Sequence, residues 1–70
     1  MEIYGYENEE GDLMSIQEMT LKVTVDELKI LSSFIINTVN LMEEHKENFG
    51  HEHLSDFTKN CCMPEVIITK

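Results

Sequence analysis

Two histidines two positions apart, His51 and His53, precede an adjacent pair of cysteines, Cys61 and Cys62, and His45 lies shortly before them. Imidazole and thiolate are ligands that zinc favours, and a strand through 51–53 would project both rings to one side. The spacing argues against a closed zinc site. Finger and ribbon patterns keep a short loop between paired cysteines so that both sulfurs reach one ion, and neighbouring cysteines have no such loop. A disulfide between neighbours is strained, so the pair is no staple for the fold either. The same residues offer a nucleophile and a base, because a thiol beside an imidazole is activated as thiolate. Nothing else in the sequence completes such a device. No acid is spaced to orient the base, no glycine-rich loop serves an oxyanion or phosphate, and 70 residues are few to enclose a substrate. The expectation is a protein that is not an enzyme, with no catalytic residue, metal or cofactor, in which the cysteines are small apolar groups under a loop.

Carboxylates are the more abundant chemistry. Fourteen acidic residues face five lysines and no arginine, for a net charge of −9. Without a guanidinium fork, and with lysines scattered at 22, 29, 46, 59 and 70, there is no basic patch, so nucleic acid is not an expected ligand. An anionic membrane would repel the chain, and a basic protein would attract it. The acids gather in two places, around Glu7, Glu9, Glu10 and Asp12, and around Glu43, Glu44 and Glu47. The second group falls where a helix would end, and there the helix dipole opposes negative charge. Such residues either serve contact with a partner or form a merely solvated helix end helped by Lys46.

These groups must be positioned by a small α+β domain spanning 1–70. Ile3, Tyr4 and Tyr6 suggest a first strand, and the polar run 7–12 with Gly11 suggests a turn. From 13 to 23 the chain is rich in strand formers, with Met19, Leu21 and Val23 on one parity and Met14 and Ile16 on the other. A bulge near Gln17 and Glu18, or burial of both faces, would reconcile them. Thr24 and Glu27 have capping-box spacing, and the helix they open should run from Val25 to about Lys46. Leu28, Leu31, Ile35, Val39 and Met42, widened by Phe34 and Leu41, form its apolar stripe, while Ile30 and Ile36 lie off it. Gly50 is the expected stop. A short strand over 51–57, a loop over 58–65 with Pro64, and a β-branched strand over 66–69 complete the chain. The expected fold is an antiparallel or mixed sheet in strand-strand-helix-strand-strand order with one long helix on one face. The opposite sheet face or an edge would then be covered by a second copy, giving a homodimer. The first residues lack a basic start and an apolar run, and no stretch approaches the roughly 20 apolar residues of a membrane helix, so the expected location is the cytoplasm.

The run Phe49, Gly50, His51, Glu52, His53, Leu54, Ser55 and Asp56, with the capped helix before it and Pro64, Glu65, Val66, Ile67 and Ile68 after it, resembles the immunity protein 32 family of bacterial polymorphic toxin systems. The resemblance covers roughly residues 19 to 70, and residues 49–54 are its most specific part. It implies a small cytoplasmic protein that binds and neutralises a cognate toxin, often encoded beside it. Many such toxins are nucleases with basic clefts, to which an acidic inhibitor would be drawn. His51, Glu52, His53 and Asp56 match the shared run and join Glu9, Glu10, Asp12, Glu43, Glu44 and Glu47 as candidate partner-binding residues. The resemblance assigns no place to the adjacent cysteines Cys61 and Cys62. The alternative is a metal-linked or regulatory accessory domain built on His51, His53, Cys61 and Cys62.

Overall fold

The Thr24 and Glu27 pair closes as a capping box in the computed structural model, which describes residues 1–8, 10–59 and 63–70. The Glu27 amide donates to Thr24 Oγ1 at 3.1 Å, and the Thr24 amide donates to Glu27 Oε1 at 2.8 Å. Two donors that a helix start leaves free are thereby satisfied, which for such a cap is worth about 1 kcal/mol. The backbone bond from Thr24, followed by the contact with its hydroxyl, holds the Glu27 carboxyl below the usual carboxylate range. From this cap helix α1 runs Val25–His45. It ends at Lys46, whose φ of 48° turns the chain and whose amide donates to the Met42 carbonyl. Gly50 was the expected stop, but no described glycine has a positive φ. A 3₁₀ turn at Lys46–Asn48 follows instead, and Lys70 Nζ donates to the Lys46 carbonyl at 2.8 Å.

The chain is α+β, with one long helix and two small antiparallel sheets. Strand β1 (Ile3–Gly5) pairs with β2 (Met14–Ile16), setting Ile3 opposite Ile16 and Gly5 opposite Met14. Their connection is tightened at Asn8, whose carbonyl accepts the Gly11 amide at 3.1 Å and whose Oδ1 accepts the Glu10 amide at 3.0 Å. Strand β3 (His51–His53) pairs with β4 (Ile67–Thr69), setting His51 opposite Thr69 and His53 opposite Ile67. Between them lies a short helix, α2 (Leu54–Thr58).

Three expectations are corrected here. The single sheet with α1 on one face is replaced by two separate two-stranded ladders. Each strand spans three residues, too short to underlie a helix of 21 residues, about 30 Å long at 1.5 Å per residue. The strand expected over 51–57 stops at His53, because Leu54 turns into the core and α2 begins. Beyond β2, residues 17–24 join no ladder, so the parity switch at Gln17 and Glu18 marks the end of a strand and not a bulge.

Helix α1 packs chiefly against α2. Phe34 is fully buried and meets the Phe57 ring at a centroid distance of 5.7 Å, inclined by 54°. Leu54, Phe49 and Thr38 complete the core. Thr38 is tolerated there because its hydroxyl donates to the Phe34 carbonyl one turn back at 2.8 Å. The buried face of α1 is therefore centred on Phe34 and Thr38, with Ile30, Leu31, Leu41 and Met42 half-buried beside them. This is nearly a quarter-turn from the stripe expected from sequence, and Leu28, Ile35 and Val39 are left facing solvent.

Candidate functional site

Strand β3 places His51 and His53 on one side of its ladder, as a two-residue spacing requires. Their rings meet edge to face with centroids 4.9 Å apart. His51 is exposed, and Glu52 and His53 are half-buried. The ladder also brings Glu65, two positions before β4, to the start of α2. Glu65 Oε1 accepts the Ser55 amide at 3.1 Å and the Val66 amide at 3.1 Å, while Oε2 accepts the Ser55 hydroxyl at 2.6 Å and lies 3.4 Å from His53 Nδ1. One carboxylate thus caps α2, ties it to the approach to β4 and orients His53. The two bonds from Ser55, hydroxyl first and amide second, hold the Glu65 carboxyl below the usual carboxylate range, against an opposing effect of desolvation.

Glu65 was not among the residues chosen from sequence. Ten positions separate it from Ser55, and only the register of His53 opposite Ile67 brings the two together. Its depressed pKa has a definite sign. The stabilisation is full above the ordinary carboxylate range and is lost as acid titrates the folded group. Glu65→Gln is expected to destabilise the protein at pH 7 by roughly 1 kcal/mol, a modest figure because a carboxylate 40% exposed is screened by water. In urea unfolding the gap between wild type and variant should narrow as the pH falls below the ordinary carboxylate range. A gap that stays constant from neutral pH into acid would exclude the carboxylate as the cause.

The acidic residues divide between two groups. Glu43 and Glu44 lie in the last turns of α1 and Glu47 in the 3₁₀ turn, all exposed. The same pole carries β3, whose start is held near the chain end by the Thr69 hydroxyl, a donor to the Gly50 carbonyl at 3.2 Å. Glu43, Glu44 and Glu47 therefore share an end of the fold with His51 and Glu52. Asp56 is exposed in the first turn of α2. Glu10 and Asp12 are exposed in the β1–β2 connection, which shares no ladder with β3 and β4. Glu9, Cys61 and Cys62 lie outside the described residues.

No family model, curated protein or solved structure matches the chain. The chemistry on offer must be judged from the residues themselves. Among the described residues no group of three or more histidine, cysteine or acidic side chains is placed to hold a metal ion. Two hollows beside α1 share Phe57 as a wall, one with Lys29 and Ile30 and the other with Ile36 and Asn40, and both are open to solvent. No helix among the described residues is long and apolar enough to cross a membrane. The helix-end pole offers carboxylate acceptors and an exposed imidazole on a framework pinned by Glu65 and Lys70. Such a surface can dock a cationic protein.

Proposed function

We propose that this chain is a cytoplasmic immunity-type protein that binds and neutralises a cognate toxin, acting by occlusion and not by catalysis. Residues 49–56 motivate the family, through their resemblance to immunity protein 32. The observation that carries the binding mode is the exposed trio Glu43, Glu44 and Glu47 beside His51 at the C-terminal end of α1. Negative charge there is opposed by the helix dipole, so fold stability does not account for it, whereas long-range attraction to a basic cleft does. A nuclease toxin supplies such a cleft, because its substrate is a polyanion. Glu52, His53 and Asp56 flank the trio, and Glu10 and Asp12, exposed in the β1–β2 connection, form a second, separate acidic surface.

Co-expression with the product of the adjacent gene tests the proposal. The two proteins should co-purify, and cells making the toxin should survive only when the small protein is present. Failure to co-purify together with absence of protection would overturn it.

A further inference from the structure

The apolar residues left in solvent on α1 are not scattered. Val25, Leu28, Ile35 and Val39 are separated by three, seven and four positions, the a/d pattern of a heptad, and Ser32 fills the place between Leu28 and Ile35. Ile36 adjoins the seam, and these five apolar side chains are between 41% and 71% exposed. Leu31, Leu41 and Met42 border the buried side, so Val25, Leu28, Ile35 and Val39 run along the helix away from α2, while Ile36 on their flank also borders the open hollow walled by Phe57. For its mass of 8.2 kDa a folded monomer should expose about 4,500 Å², yet this chain exposes 6299 Å². The radius of gyration, 13.0 Å, likewise exceeds the roughly 11 Å expected for a chain of this length. A standard interface takes only roughly 800 Å² from each partner.

We infer that α1 pairs antiparallel with α1 of a second copy of this chain through the seam of Val25, Leu28, Ile35, Ile36 and Val39. Charge selects both the occupant and its direction. Lys29 and Glu43 each follow a d position of the heptad, on the same flank of the seam, and each lies seven residues from Ile36. A two-fold axis near Ile36 therefore sets Lys29 against Glu43 of the partner subunit at both ends of the contact. Ile36 then meets its own copy at the centre. Antiparallel helices also oppose their dipoles favourably, whereas a parallel pair would keep Lys29 of one copy about 20 Å along the axis from Glu43 of the partner subunit. This interface differs from the sheet-face or sheet-edge homodimer expected from sequence; it does not rest on the toxin proposal, and by engaging Glu43 it leaves Glu44 and Glu47 of the acidic trio free for a toxin.

Light scattering on the eluting full chain should give twice the chain mass at about 100 µM; a monomer at that concentration would overturn the inference. Ile35→Asp should give a monomer with unchanged helical circular dichroism, and a variant that remains dimeric would likewise overturn it. Charge swaps keep the test sound should that variant fail to fold. At low salt, Lys29→Glu and Glu43→Lys should each self-associate about tenfold more weakly, with repulsion at both ends. An equimolar mixture of the two should recover wild-type affinity, since each protomer then meets opposite charges. Single variants that dimerise like wild type, or a mixture no tighter than its components, would exclude the antiparallel pairing.

Discussion

Phe34→Ala is expected to unfold the protein at room temperature, with loss of the far-ultraviolet helical signal and of cooperative urea unfolding. Phe34 is fully buried, meets the Phe57 ring at an incline and shares the core with Leu54, Phe49 and Thr38 alone among the fully or nearly buried described residues. Truncating such a phenylalanine costs about 3–5 kcal/mol, and a single core in a domain this small supplies about as much in total. Loss of one ring therefore removes essentially the whole margin. Ile36→Ala on the exposed side of the same helix is the control. At concentrations where the chain is monomeric it should change stability by less than about 0.5 kcal/mol. A cooperative transition for Phe34→Ala within about 1 kcal/mol of wild type would place the core elsewhere.

The double substitution Glu44→Lys/Glu47→Lys should slow association with the adjacent-gene toxin by at least about tenfold at low ionic strength. Each exchange adds two charge units, so the net charge moves from −9 to −5. Both positions are exposed and flank the pole that carries His51. Glu43 is kept because it faces the helix seam, and altering it would confuse toxin binding with self-association. The difference should shrink as salt approaches physiological strength, where the screening length is about 8 Å. Stopped-flow association rates across a salt series measure this directly. Equal on-rates for wild type and variant at low salt would remove the helix-end acids from the binding surface.

The two variants test features with different visibility from sequence. The cap at Thr24 and Glu27, the start of α1 and its approximate end follow from local bonding, and they were legible as patterns of neighbours. The strand at 67–69 was legible for the same reason, since β-branched residues favour extended backbone. The acidic pole could be located because a helix end can be located. The role of Glu65 could not, because its partners lie ten and twelve positions away and meet it only when β3 pairs with β4. The strand expected through 51–57 failed by the same physics. Alternation over those positions is real, but burial of Leu54 and the cap on Ser55 turn the chain into α2.

The amphipathic helix draws the dividing line most sharply. Periodicity established that α1 exists and that it carries more apolar surface than one narrow stripe can hold, and the capping box established that it begins at Val25. It could not choose which stripe faces inward, because hydrophobic burial is non-directional and either face satisfies the pattern. The choice belongs to α2, whose Leu54 and Phe57 meet the Phe34 side and leave the heptad seam of Leu28, Ile35 and Val39 uncovered. Local hydrogen bonding and charge are written along the chain. Which apolar face is spent on the core, and which remains for a partner, is settled only when distant segments close on one another.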